Sequence, residues 1–258
     1  MFDLFLDFFA NRENRLTRMD SRTKMIMALS LIFTVILSTK IILPLIVMAV
    51  CVSIMLIIGI PPKIVFLRLI APMSIVVALV VVQTFSLNGT SFFSVSLFGF
   101  HLVATHEGLT HGIMLGSRVL GAISVMILLG SVTPAHKIFH ALRWFKVPDT
   151  WVEIALLIYR YTFTLADQTT DVAEAQKLRL GYSSVRGSLS SIGVLAGTVI
   201  TRSMDQAMRT YEAMTLRGYD GAMRFEALPK MPKTESMGLL VVLPVIMATY
   251  CVVEWWPK

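Results

Sequence analysis

Two kinds of hydrophobic pattern divide this chain. Apolar residues run almost without interruption over 25–38, 41–60, 69–87, about 109–132 and 237–253. Several of these runs approach the roughly 20 residues that a helix needs to cross the hydrocarbon layer of a bilayer. The first two are separated by little more than Thr39 and Lys40; the polar Ser38-Thr39-Lys40 break and Pro44 favour a hairpin over one long helix. Between the fourth and fifth runs the pattern changes. Leu157, Tyr161, Leu165, Gln168, Val172, Ala175 and Arg179 recur at three- and four-residue steps, and so do Ile200, Met204, Met208, Tyr211 and Met214. That is the period of an amphipathic helix. From Asp149 no proline or glycine occurs until Gly181, which predicts a helix of about thirty residues capped by Asp149 or Thr150. After the connection "GYSSVRG" a second helix repeats the plan, with Asp205 four residues before Arg209, the favourable order for a helical ion pair. Upstream, "TPAHKIFHALRWFKVP" (133–148) predicts a short interfacial helix between Pro134 and Pro148, with Ile138, Leu142 and Phe145 on one side.

Composition settles what these helices belong to. Hydrophobic residues make up 55%, charged residues 15%, and mean hydropathy is +0.73, well away from a soluble domain. The expected fold is all-α: a polytopic integral membrane protein with about five transmembrane helices and a cytoplasmic helical region. Basic residues set the orientation. Arg12, Arg15, Arg18, Arg22 and Lys24 precede the first span, and Lys63 and Arg68 lie between the second and third, so both segments belong inside; 88–108 contains no lysine or arginine and belongs outside, its Phe92, Phe93, Phe98 and Phe100 dipping into the interface. The segment 133–236 carries thirteen Lys/Arg and ten Asp/Glu and falls in the cytoplasm. Three regions follow: 1–132, an N-terminal segment and four spans; 133–236, the cytoplasmic helices; and 237–258, the last span. The net charge of +7 is then mainly a topology signal, reinforced by attraction to anionic lipid; nucleic acid is not an expected partner. The N-terminus, with Asp3, Asp7 and Glu13 and no small-residue cleavage site, is expected to be retained, its Phe2, Leu4, Phe5, Phe8 and Phe9 lying at the membrane surface. Cys51 and Cys251 both fall inside apolar runs and read as small core residues, not as a disulfide.

The charged region writes one phrase twice, "EAQKLRLGY" (174–182) and "EAMTLRGYD" (212–220). An arginine in a last turn complements the helix dipole, and a following glycine supplies a left-handed cap. Two occurrences, 38 residues apart on similarly built helices, favour a docking role as well, since a guanidinium fork leaving a helix end can grip a carboxylate or carbonyl on a partner.

On these segments, with "LTRMDSRTKMIMALS" and "IYRYTFTLADQ", the chain resembles the transmembrane T component of energy-coupling factor transporters, and most of all the cobalt-type CbiQ branch. The second signature, from Ala213 through "LRGY", is the closer; the first has Leu180 between Arg179 and Gly181. The resemblance implies a coupling module without catalysis of its own. Two cytoplasmic ATPase subunits would carry ATP-Mg and receive Ala175, Arg179, Gly181, Ala213, Arg217 and Gly218. A substrate-binding membrane subunit of CbiM type, with a small accessory membrane subunit, would be moved through a face containing Met204, Ala207, Met208 and Met214. Methionine suits a sliding surface, although the same residues can instead pack the two helices together. The implied setting is the bacterial inner membrane with the N-terminus inside, and the cargo cobalt, with nickel or a vitamin as alternatives.

Residue chemistry agrees on what is missing. No Gly-x-x-x-x-Gly-Lys-Ser/Thr loop, Gly-x-Ser-x-Gly or His-Glu-x-x-His motif occurs, which weighs against an ATPase or an intramembrane enzyme. A conventional importer permease is the nearer rival, but the glycine after "EAQ" comes one place late and no Leu-Pro follows at the expected distance. His101, His106 and His111, and His136 with His140, are not expected to bind metal, for no cysteine or carboxylate completes the second pair. Arg68 and Arg118 are expected to face inward or snorkel.

Overall fold

A computed structural model describes residues 15–86, 91–97, 100–221 and 232–255. The apolar start at Phe2 to Phe9 lies outside the described residues, as do the side chains of the 91–104 segment, His101 and its phenylalanines among them. The described residues form two compact units, 15–134 with 232–255, and 135–221.

The first unit is the membrane bundle. Helix α1 (Arg15–Arg18) leads into α2 (Ser21–Leu37), α3 (Ile42–Ile57), α4 (Pro62–Ser86), a β1–β2 hairpin (Ser91–Leu97, Phe100–Thr105), α5 (His106–Val132) and α9 (Lys233–Trp255). Each apolar run is a helix, and α4 and α5 are long and apolar enough to cross a membrane outright. The antiparallel hairpin, pairing Ser94 with Val103 and Leu97 with Phe100, is an addition to the expected all-helical fold. It sits in the segment without basic residues. Helix α2 does end before the polar break, and Pro44 falls in the first turn of α3, where its missing N–H costs nothing. Helix α4, the third span, starts at Pro62, earlier than hydropathy alone suggests, because Lys63 and Arg68 fit its first two turns. Large apolar side chains on its outer face, Phe66, Ile75 and Val82 among them, are exposed, as a lipid-facing helix requires.

Helix α5 packs on α2, α3 and α4, and it does so through glycine. A Cβ on Gly108 would lie 2.5 Å from the Gln83 carbonyl, one on Gly112 3.1 Å from the Val80 Cα, one on Gly116 2.7 Å from the Val76 side chain, and one on Gly121 3.0 Å from the Pro44 carbonyl. Small residues at four-residue spacing let helix backbones approach closely where no hydrophobic drive operates between them. This seam was legible in the sequence, though the hydropathy reading above passes over it. Ala28, Cys51, Met55, Ile60, Val65 and Val125 make the core beside it. Cys51 is buried as expected; Cys251 is exposed on α9.

Polar groups in the bundle are answered from neighbouring helices, as low-dielectric surroundings demand. Arg118 Nε donates to the Ser38 carbonyl at 2.8 Å, Lys40 Nζ to the Val253 carbonyl at 2.8 Å, and Arg68 donates to Ser131 Oγ at 2.7 Å. Both arginines therefore face inward. At the opposite end of α2, Glu235 accepts from the Asp20 N–H at 2.8 Å and from Thr23 Oγ1 at 3.1 Å, so the first turn of α9 helps cap α2.

The second unit holds α6 (Ala135–Trp144), α7 (Asp149–Leu178) and α8 (Val185–Leu216). Phe139 of α6 meets Tyr159 of α7 edge to face at 6.0 Å, and Arg143 pairs with Asp149 at 2.7 Å. Pro148, not Asp149 or Thr150, occupies the N-cap of α7, leaving Asp149 free in the first turn to meet Arg143 and the helix dipole. Ser184 caps α8 by accepting from the Gly187 N–H.

Candidate functional site

Helices α7 and α8 run antiparallel. Tyr161 and Thr210 share a 2.8 Å hydrogen bond between their hydroxyls, Gln176 Nε2 donates to the Ser191 carbonyl at 3.1 Å, and Ser191 Oγ donates to the Gly181 carbonyl at 2.9 Å. As the α7 number rises the α8 number falls. The facing seam is Leu157, Tyr161, Leu165, Gln168 and Val172 on one side, all half-buried, and Ser203, Gln206, Thr210 and Met214 on the other. At about 1.5 Å per residue the pair is on the order of 45 Å long. Arg179 thus stands beside the start of α8, and Arg217 beside the start of α7, at opposite ends of the pair.

The two ends have the same backbone. After Arg179, the Leu180 N–H donates to the Lys177 carbonyl at 3.1 Å and the Gly181 N–H to the Gln176 carbonyl at 2.9 Å; after Arg217, the Gly218 N–H donates to the Thr215 carbonyl and the Tyr219 N–H to the Met214 carbonyl, both at 3.0 Å. Each is a Schellman cap with arginine as the last, half-helical residue. Leu180 is therefore no insertion. It holds the left-handed position, φ 58°, that Gly218 holds at φ 83°. Gly181 is corrected accordingly: it does not supply the cap conformation but stands one place later, where a Cβ would lie 2.6 Å from Ser191 Oγ. Its smallness lets α8 close on the end of α7. A leucine in the left-handed region costs roughly 1–2 kcal/mol, so Leu180→Gly is expected to raise the stability of the α7–α8 unit by about 1 kcal/mol. Slower amide exchange at residues 179–181 in the variant is the readout; faster exchange would show that leucine is not held in this conformation.

Both tyrosines of the repeated phrase brace their ends. Tyr182 donates to Gln176 Oε1 at 2.8 Å. Tyr219 bonds across to the side chain of Glu153, and this bond, with the negative charges of Glu153 and Asp220 nearby, pushes its hydroxyl above the ordinary range. Glu153 is buried in the first turns of α7. Sequence reasoning missed this brace, yet a lone carboxylate in "TWVEIALL" carried the signal, because a buried glutamate needs a donor.

What these braces present is charge framed by grease. Ala175, Arg179, Ala213, Arg217 and Gly218 are all exposed, and Leu178, Leu180 and Leu216 are 86%, 74% and 90% exposed. Among the described residues neither arginine has an ion pair or hydrogen bond from its side chain. Helix α8 has no buried residue: Ile200, Met204, Ala207, Met208 and Tyr211 form an open stripe, while Met214 is half-buried toward α7. Of the three methionines, only Met214 serves the helix pairing. His136 is exposed and His140 half-buried, its pKa lowered by burial first and then by the charges of His136 and Arg143. Among the described residues no group of three or more His, Cys, Asp or Glu is placed to hold a metal ion.

A family model described as cobalt transport protein, CbiQ, matches residues 12–227, from the N-terminal segment through both arginine tips. The chain belongs to the CbiQ family. CbiQ-family membership makes it a component of a membrane transporter and accounts for the apolar bundle. Three relatives illustrate the range. An uncharacterized protein of Methanocaldococcus jannaschii is 29% identical over 236 residues, 91% of this chain and 88% of that one. The cobalt transport protein CbiQ of Rhodobacter capsulatus is 32% identical over 115 residues, 45% of this chain and 47% of that one. A fused cobalt transport protein CbiMQ of Methanocorpusculum labreanum is 26% identical over 164 residues, 62% of this chain and 26% of that one.

Proposed function

We propose that this chain is the transmembrane coupling subunit of an energy-coupling factor importer, passing the stroke of two partner ATPase subunits to a substrate-binding membrane subunit of CbiM type, for uptake of cobalt or, next in order, nickel. The observation that carries the reading is the pair of tips: two arginines on the same cap geometry, exposed and, among the described residues, without side-chain partners, at opposite ends of one antiparallel helix pair. One tip per ATPase subunit is the stoichiometry this spacing suits. A rigid pair of helices held at both ends changes its tilt when the two holders approach each other, so ATP-driven closure would be felt along α8. Its open stripe, Ile200, Met204, Ala207, Met208 and Tyr211, is the surface from which the substrate subunit would be moved; the fused CbiMQ relative supports such a neighbour. ATP-Mg belongs to the partners, and the chain itself catalyses nothing. The paired helices and the N-terminus lie in the cytoplasm of a bacterial inner membrane in this reading, which follows the basic residues. The test is assembly: the tagged full chain, extracted in mild detergent, is expected to bring down two nucleotide-binding chains and a second membrane subunit. Cobalt uptake by the chain alone in proteoliposomes would overturn the assignment.

A further inference from the structure

The interfacial segment expected over 133–148 does not stop at the end of α6. Only Thr133 and Pro134 separate α6 from α5, a helix long and apolar enough to cross a membrane, so the chain enters α6 at a bilayer surface. After the ten residues of α6 it turns. The Lys146 N–H donates to the Arg143 carbonyl at 3.1 Å and the Val147 N–H to the Leu142 carbonyl at 3.4 Å, and Lys146 holds the left-handed φ of 62°. A glycine would hold it without strain; the chain places a lysine there, and its side chain is exposed.

On either side of that lysine the elbow is apolar. Trp144 is 47%, Phe145 38% and Trp151 72% exposed. Trp144 meets Phe145 edge to face at 5.1 Å, so the two rings stand together on the surface. Ile154 and Ile158, three and seven residues past Trp151, are exposed too and extend the patch one and then two turns along α7. Other sides of α7 are occupied or polar: Tyr159 meets Phe139 of α6, Tyr161 meets Thr210 of α8, and a further flank exposes Arg160, Asp167 and Asp171.

This patch differs in kind from the open stripe of α8. That stripe carries methionine and no tryptophan, which suits an adaptable protein contact. The elbow sets rigid aromatic rings beside lysine, the pairing that head-group regions favour, because the ring buries its body while its polar edge and the ammonium stay wet. Charge agrees. The two carboxylates at the elbow are engaged, Asp149 with Arg143 at 2.7 Å and Glu153 with Tyr219, whereas Lys137 and Lys146 are exposed.

We propose that the α6–α7 elbow is a membrane anchor: Trp144, Phe145 and Trp151, with Ile154 and Ile158, lie in the boundary between head groups and acyl chains, and Lys137 and Lys146 reach lipid phosphates. The occupant is phospholipid of the bilayer that the bundle spans. A surface-lying helix buries its apolar side roughly 5–10 Å into that boundary, a depth that side chains on two turns can fill without crossing. The anchor stands whether or not the arginine tips dock ATPase subunits.

Tryptophan emission reads the depth directly. Trp255→Phe with Trp256→Phe leaves Trp144 and Trp151 as reporters, and Trp144→Phe or Trp151→Phe then isolates each. The full chain is placed in nanodiscs of phosphatidylglycerol and phosphatidylcholine, the latter brominated near either the glycerol end or the methyl end of its acyl chains, and iodide is titrated from the water. Each reporter is expected to lose about half of its emission to the shallow bromines, which sit at the depth of a surface-lying apolar face, severalfold less to the deep ones, and little to iodide. Ile154→Ser with Ile158→Ser is expected to lift Trp151 toward the water and raise its iodide quenching about twofold. Circular dichroism checks helix content, and if the double serine variant loses it, the two reporters decide alone. Iodide quenching without bromine quenching at either tryptophan marks an open or protein-binding face and overturns the proposal. Shielding from both quenchers, deep bromines outdoing shallow ones, or an unmoved Trp151 in the folded serine variant overturns it as well.

Discussion

In the proposed coupling role, Arg217→Ala is expected to free one ATPase subunit from the chain, and Arg179→Ala with Arg217→Ala to free both. Truncating one partner of a desolvated, hydrogen-bonded charge pair costs about 2–5 kcal/mol, which is on the order of 30- to several-thousand-fold in dissociation constant. The fold does not depend on these side chains. Both are exposed and, among the described residues, without side-chain partners, so the variants should insert and unfold like the wild type while co-purified ATPase drops in step with each tip removed. Arginine to lysine should fall between, since the point charge survives and the planar fork does not. Because the tips stand at opposite ends of the helix pair, the two single variants should behave nearly independently, and a double variant should show the sum. Full assembly and uptake in the double variant would remove the tips from the mechanism. The Tyr219–Glu153 brace sharpens the comparison: if it aims Arg217, loosening it weakens the second tip alone.

Gly112→Leu is expected to break the bundle. At this position a bare Cβ would already be 3.1 Å from the Val80 Cα and 3.2 Å from its carbonyl oxygen. Backbone is what it meets, so nothing can swing away, and α4 must part from α5. Overpacking of this kind costs roughly 1–3 kcal/mol where side chains can adjust and more where they cannot. In a bilayer the close approach is itself the source of helix association. The expected outcome is loss of a compact, protease-resistant bundle in detergent, with helix content kept. Gly130→Ala, in the same helix, is the control: nothing lies within 4 Å of the new methyl, and exchanging helical glycine for alanine should gain roughly 0.5–1 kcal/mol. If Gly112→Leu unfolds no more readily than Gly130→Ala, the seam does not hold α4 against α5.

Much of this protein is written locally. Runs of apolar residues near the length of a bilayer crossing, the Ser38-Thr39-Lys40 break, three- and four-residue periodicity from Leu157 to Val172, and the twin Leu-Arg phrases were enough for the helices, the membrane and the family. The glycines of α5 were equally open to reading, at positions 108, 112 and 116. Each of these signals is a property of one segment, governed by its own backbone hydrogen bonds and by solvent on its surface.

Other features needed the assembled chain. Spacing alone aligns Arg179-Leu180-Gly181 badly with Arg217-Gly218, whereas the hydrogen bonds of the two caps align them residue for residue, with leucine bearing the left-handed strain so that Gly181 can admit Ser191. That Met204 and Met208 stay open while Met214 is half-buried depends on which stripe of α8 meets Tyr161 and Gln176, and a helix with two possible apolar faces does not announce which one its neighbour takes. Glu153 and Tyr219 are 66 positions apart, and the cleft of about 710 Å³ between α2, α3, α5 and α9 exists only because four helices fail to close on one another. The sequence by itself determined what each helix is and that the chain lives in a membrane, since burial period and cap chemistry act over a few residues. Only the tertiary structure decided where the two arginines stand, what braces them and which space is left unfilled, because those follow from the fit between surfaces distant in the chain.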